Sequence, residues 1–180
     1  FRMKYQLMES GRKQELVMIN KKELGIYIST IIICVFLTKV VFMINYVPSG
    51  SMYPTIHRQE LLLSSRVSTH KINRYDIVVF QYPDDPSELF IKRVIGLPGD
   101  KIEIKNGTVY ANGKKLRDDF VKNRSYDSGT YVVPKNSYFM MGDNRPNSID
   151  SRFWNNHFVK KDTIKAKAFL RLKFLPEVLK

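Results

Sequence analysis

The chain has 180 residues and a formal net charge of +13, from 30 Lys+Arg against 17 Asp+Glu. That length bounds it to one domain with accessories, and that charge asks for an anionic neighbour: nucleic acid, an anionic lipid surface or an acidic polymer. The basic residues are scattered without a recognition-helix or zinc spacing, which turns the reading away from nucleic acid. The single cysteine, Cys34, excludes an internal disulfide and a cysteine-based metal site.

Residues 1–18 (FRMKYQLMESGRKQELVM) share no pattern with the rest of the chain, and Met18 makes a natural start. Residues 1–17 read either as an appended non-native segment or as a cytoplasmic extension. Ile26 to Ile44 (IYISTIIICVFLTKVVFMI) is the one long apolar run. As a helix it spans about 28 Å, close to a bilayer core. Lys39, near its end, has a stem long enough to carry the ammonium to the interface. A buried core helix and a cleavable signal peptide are the alternatives. The apolar character on every face speaks against the first, and the lack of a small-x-small site after the run speaks against the second. Arg12, Lys13, Lys21 and Lys22 precede the run and favour an N-terminus inside. The expected division is a cytoplasmic segment at 1–25, a transmembrane anchor at 26–44 and an extracytoplasmic domain at 45–180. Residues 47–180 carry 23 basic and 14 acidic residues, +9 by themselves, which suits an anionic headgroup surface.

That outer part reads as mainly β. Glu60 to Val67, Tyr75 to Tyr82 and Leu89 to Ile95 are rich in β-branched and aromatic residues, which pack well on a pleated surface. Lys101 to Lys105 alternates polar and apolar. Asn106-Gly107 and Asn112-Gly113 bracket Thr108 to Ala111, and Asn-Gly supplies the positive φ of a tight hairpin turn. Tyr131 to Val133 and Ser137 to Met141 are two more short strands. Ile164 to Phe174 alternates through most of its length, which predicts a long strand with one wet face. Asn112 to Pro134 is polar and reads as loop or lid.

Three clusters carry chemistry. The first is Pro48-Ser49-Gly50-Ser51-Met52-Tyr53-Pro54-Thr55, just after the apolar run. A serine hydroxyl must lose its proton as it attacks, so it needs a base within hydrogen-bond reach. His57, His70 and His157 have no persuasive context and no HExxH-like spacing, so neither a histidine base nor a metal site is expected. The second cluster, Phe90-Ile91-Lys92-Arg93-Val94-Ile95-Gly96-Leu97-Pro98-Gly99-Asp100, offers a lysine. Strand alternation places Phe90, Lys92 and Val94 on one face. Burial among such neighbours disfavours the ammonium and prepares an amine to act as base. Taken alone, Ser51 is a turn serine and Lys92 a surface lysine. The third cluster, Gly142-Asp143-Asn144-Arg145-Pro146-Asn147-Ser148-Ile149-Asp150-Ser151-Arg152, is a dense polar loop.

In this order the three clusters resemble the conserved boxes of the type I signal peptidases, membrane-bound Ser-Lys proteases of family S26. The likeness runs from about Val47 to Trp154, plus the anchor by position. The resemblance implies a signal-peptidase-type β-sheet or barrel domain after one transmembrane helix, with no cofactor or metal. It casts Ser51 as nucleophile and Lys92 as general base, then as acid toward the leaving amine. The Ser51 N–H and the Ser49 hydroxyl would form the oxyanion hole, and Ser148 would orient the lysine amine. Asp150 and Arg152 would form a supporting ion pair, with Asp143 and Arg145 opening the same box in a structural role. Val47 and Met52 would line a pocket for small residues. The family's glycine after Asp-Ser-Arg is replaced here by Asn155; asparagine tolerates a left-handed backbone better than other non-glycine residues, so a left-handed turn is expected to survive there.

The function that this implies is removal of signal peptides from exported preproteins at the outer face of the plasma membrane. Preprotein signal peptides and membrane lipids are the expected partners, and nucleic acid is not. Signal-peptidase-like proteins that assemble surface pili are the first alternative, with pilin as partner, although those have the dyad replaced. Self-cleaving repressor-type Ser-Lys proteases and a basic membrane-surface module without chemistry are the others. The anchor argues against the former, and three ordered motifs argue against the latter.

Overall fold

Asn20 opens the first element by accepting the Lys22 N–H at 3.2 Å, and helix α1 runs from there over Lys21–Phe36. The computed structural model describes residues 20–172. Both readings of residues 1–17, and the final residues of the expected strand 164–174, fall outside them. A π-helical turn, Leu37–Val41, continues α1, giving 21 helical residues, about 31 Å. No residue of α1 is buried. Among the described residues this is one helix long and apolar enough to cross a membrane. The hydroxyls of Ser29, Thr30 and Thr38 bond back to carbonyls of their own helix, which hides their polarity in an apolar setting.

Helical backbone stops at Val41, so Phe42 to Ile44 do not continue the span expected at 26–44. They open strand β1, Phe42–Tyr46. The reason is pairing: Phe42↔Ser65 through Tyr46↔Leu61 zip β1 onto β2, Leu61–Ser65. The Arg66 N–H caps the Val41 carbonyl at 2.8 Å. The chain divides into two compact units between Thr38 and Lys39.

The second unit is two antiparallel sheets. The larger has seven strands in the order β1-β2-β11-β3-β4-β9-β10, with β3 at Ile77–Gln81, β4 at Leu89–Gly96, β9 at Ser137–Met141, β10 at Val159–Lys160 and β11 at Ile164–Leu172. The smaller has four in the order β7-β6-β5-β8, namely β5 Lys101–Lys105, β6 Thr108–Ala111, β7 Lys114–Lys115 and β8 Gly129–Val132. The segment read as loop or lid, 112–134, therefore carries β7, which pairs through its neighbour rather than through an apolar pattern of its own. The strand expected at Tyr131 to Val133 is β8, displaced by two residues at its start. Asn106 and Gly107 (φ 48 and 78), and Asn112 and Gly113 (φ 52 and 79), are left-handed, as two-residue hairpin turns require.

Three apolar clusters hold the unit together. Ile95, Phe139 and Met141 of the large sheet meet Ile102, Ile104 and Val109 of the small one. Val78, Phe80, Val94, Met140 and Trp154 form a second cluster. Val47, Met52, Ile56, Leu62, Val79 and Ala166 form a third. The expected one-sided wetting of the last strand holds only in its first half. Beyond the register shift at Ala168/Leu170, Phe169, Leu170 and Leu172 are all exposed.

Candidate active site

Ser51 lies in the loop that leaves β1. Below it Met52 and Ile56 are buried in the third apolar cluster, which fixes the loop from beneath. Asn144 fixes it from the side: its backbone N–H donates to the Ser51 carbonyl at 3.0 Å and its side-chain amide to the Gly50 carbonyl at 3.1 Å. Lys92 comes from the middle of β4, paired on both sides by β3 and β9. Its Nζ lies 2.6 Å from Ser51 Oγ and 5.4 Å from the Phe90 ring. Ser49 Oγ stands 3.3 Å from Ser51 Oγ. Among the described residues the Ser51 N–H has no intramolecular partner, which leaves it free to donate outward.

Lys92 is 5% exposed. Burial pulls its pKa from 10.5 down to about 8; Asp150 and Asp143 oppose that pull and Arg152 adds to it. An amine so placed is neutral in a useful fraction near neutral pH, and it touches a hydroxyl whose proton it can accept.

Beside the pair runs a cleft of about 430 Å³ lined by Val47, Met52, Val79, Phe90 and Ile91 together with Ser51 and Lys92. Val47 and Met52 are 3% and 1% exposed; they serve as cleft wall and core at once.

The polar loop is a buried ion network. Asp150 accepts from Arg152 Nε at 2.8 Å and Nη2 at 2.9 Å, and from the Gly142 N–H at 2.9 Å. Arg152 also reaches Asp127 at 2.6 Å, Ser125 at 2.8 Å and the Arg145 carbonyl at 2.7 Å. Asp143 turns away from this pair and takes both arms of Arg93, at 2.8 and 2.6 Å, plus the Thr55 hydroxyl. Arg145 has no carboxylate partner among the described residues. Its Nε donates to the Gly142 carbonyl at 3.1 Å, and burial pushes its pKa down to about 10. Arg93, Thr55 and Asn144 are the structural members that sequence reasoning had not singled out. Each lies inside one of the three motifs.

A model of the family "Signal peptidase, peptidase S26" matches residues 20–173. The chain belongs to this signal peptidase family. It is 35% identical over 159 residues to "Probable signal peptidase I-2" of Synechocystis, covering 84% of this chain and 72% of that protein. It is 38% identical over 147 residues to "Signal peptidase I P" of Bacillus subtilis subsp. natto, covering 74% and 79%. It is 35% identical over 154 residues to "Signal peptidase I S" of Bacillus subtilis, covering 78% and 82%. A signal peptidase I crystal structure from Enterococcus faecalis aligns at a TM-score of 0.47 and 35% identity, over 53% of this chain and 95% of that one. Membership makes the chain a serine endopeptidase with a mainly β body. These relatives give no support to the pilus-assembly alternative.

Two expectations taken from the signal peptidase pattern meet a different geometry. Ser148 is buried, but its Oγ has no hydrogen-bond partner; the bond to the lysine amine is not formed. The hydroxyl lies instead against Gly142, where an added Cβ would come within 2.6 Å of the Ser51 carbonyl and closer still to Ser148 Oγ. Asn155, in the glycine position, does not adopt a left-handed backbone. Its N–H and that of Asn156 donate to the Asp84 carboxylate at 2.9 and 2.8 Å, so the turn is held by an anion rather than by backbone freedom.

Gly142→Ala tests how tightly the three motifs are packed. The methyl group has to displace Ser148 or the Ser51 carbonyl. A loss of about 1–3 kcal/mol is expected from overpacking, with cleavage down roughly 10²-fold from misplacing the Ser51 loop. Thermal melting beside an initial-rate assay checks both; a variant with normal rate and stability would show that the loops are slack.

Proposed function

We propose that this chain removes signal peptides from exported preproteins, with Ser51 as nucleophile and Lys92 as general base. The observation that carries the reading is the 2.6 Å contact between Lys92 Nζ and Ser51 Oγ at the edge of an apolar cleft. The neutral amine takes the hydroxyl proton as Oγ adds to the scissile carbonyl. The Ser51 N–H and Ser49 hydroxyl stabilise the oxyanion, a contribution of about 3–4 kcal/mol per donor in other serine proteases. The protonated lysine then gives its proton to the leaving amine, and an acyl-enzyme remains on Ser51. Water, deprotonated by Lys92, attacks the ester and releases the signal peptide's carboxylate. Val47 and Met52 line the pocket for a small side chain, while Asp143, Arg145, Asp150 and Arg152 hold the loops.

In this reading helical residues 21–41 are a single-pass anchor and the residues after them form the catalytic part. Lys21 and Lys22 at the start of the helix favour an inside N-terminus, and in this reading the catalytic part then lies on the outer face of the plasma membrane. The anchor and the apolar segment of a signal peptide then share one bilayer, which raises the local concentration of substrate.

The test is cleavage of a preprotein in detergent or vesicles. Ser51→Ala is expected to lose roughly 10³-fold or more. The ratio kcat/KM is expected to climb about tenfold per pH unit below the Lys92 pKa of about 8, then to level off. A rate independent of pH from acid to alkaline conditions would remove Lys92 from the role of base.

A further inference from the structure

On another part of the unit lies a groove of about 830 Å³ that the proposed chemistry does not use. Its lining includes apolar Pro134, Phe158 and Ile164. It is also cationic, with Lys135, Lys160 and Lys161 beside His70. Among the described residues none of these lysines pairs with a carboxylate, and Asp162 is the one acidic lining residue. Asn136, Asn156 and Thr69 add hydrogen-bonding groups.

The lining of the groove names the occupant, and its place in the chain is close to the end of the helix. His70 and Thr69 belong to the 3-10 turn Val67–His70, directly after β2. Residue Ser65 at the end of β2 pairs with Phe42, and the Arg66 N–H holds the Val41 carbonyl, the last of the apolar helix. Two lining residues therefore follow Arg66 by three and four positions in the chain.

We propose that the groove binds the headgroup of an anionic phospholipid. The phosphate and its neighbours would meet Lys135, Lys160 and Lys161, and the start of the acyl chains would cover Pro134, Phe158 and Ile164. A lining that is both apolar and basic matches a molecule that is anionic at one end and apolar at the other. A hydrophilic anion leaves the apolar lining unused. The inference rests on the anchoring part of the proposed function and is independent of the dyad.

The experiment uses the full chain carrying Ser51→Ala, so that catalysis plays no part. The protein is exposed to membranes of equal phosphatidylcholine and phosphatidylglycerol, moved into neutral detergent, and its retained lipid is identified by native mass spectrometry. Selective retention of phosphatidylglycerol is expected. It should fall roughly tenfold to a hundredfold in a Lys135→Gln, Lys160→Gln, Lys161→Gln variant, given the usual gain per basic residue at an anionic surface. Asp162→Asn should strengthen retention, which guards against reading general damage as lost binding. Equal retention by parent and triple variant would overturn the proposal, as would displacement of the lipid by an excess of inorganic phosphate. With Ser51 restored, the triple variant should cut a short soluble signal peptide at the parent rate. Alkaline extraction from membranes tests the anchor separately, so failure of the anchor and failure of the groove are told apart.

Discussion

Replacing Lys92 by methionine is expected to abolish cleavage and, at neutral pH, to make the protein more stable. The amine is 5% exposed, and its pKa falls from 10.5 to about 8 on folding. The sign comes from proton binding. Between pH 8 and 10.5 the unfolded chain holds the lysine proton and the folded chain has released it, so stability rises with pH across that window. Below about pH 8 the folded protein carries the whole penalty, about 3 kcal/mol for a shift of this size. Methionine has a similar length and no charge. It gives up the contact to Ser51 Oγ, a loss of about 1 kcal/mol. The net expectation at pH 7 is a gain of about 1–3 kcal/mol, or several degrees in Tm for a chain of this length. The advantage should shrink toward pH 10.5, where the parent has shed its proton. Melting curves of parent and Lys92→Met at two pH values check this. A variant that is less stable at both, by the same amount, would show that Lys92 is not a strained base but an ordinary packed residue. Stability given up at one atom in exchange for chemistry is the pattern expected of a functional site.

The parts of the fold that were legible in the sequence are those fixed by local chemistry. The two Asn-Gly turns were readable because few other pairs accept two left-handed residues in a row. Strands β3, β4 and β9 were readable because Val, Ile, Phe and Met are concentrated in them. Strand β1 was not. Phe42, Met43 and Ile44 continue an apolar run without a break, and composition alone does not separate a lipid-facing helix from a strand whose partner lies twenty residues on. Strands β7 and β10 have two residues each and exist only because a neighbour offers bonds.

The site divides in the same way. Ser51 and Lys92 were legible as a pair because three motifs in fixed order left little room for coincidence. Arg93 was hidden by its own strand: alternation sends it to the face opposite Lys92, where a charged residue reads as solvent-exposed. Its true partner, Asp143, lies fifty residues away, and no local rule joins them. Asn144 was hidden because its function is to bond carbonyls, and any loop asparagine does that. Ser148 shows the opposite failure. A residue role carried over from a pattern does not fix a rotamer, and here the hydroxyl turns to Gly142 rather than to Lys92.

Arg152→Met is expected to be the most damaging single change in the polar loop. The guanidinium joins Asp150 and the Arg145 carbonyl on one side to Ser125 and Asp127 on the other. It thereby ties the loop of the third motif to the segment before β8. Asp150 is fully buried. Without Arg152 it keeps the Gly142 N–H but loses its counter-ion, and an uncompensated buried charge costs about 3–5 kcal/mol. High salt should not soften the effect, because the pair is screened little from within. The change also reaches Lys92. Arg152 holds the Lys92 pKa down while Asp150 holds it up. Removing the cation therefore moves the rising limb of the pH–rate profile to higher pH, and Asp150→Asn moves it to lower pH. Arg152→Lys separates the two contributions. It keeps the charge near Lys92 but cannot reach both carboxylates with a planar fork. Its profile should stay where the parent's lies while its Tm falls. Should Arg152→Met melt like the parent, the loop is held by packing alone and the network is incidental.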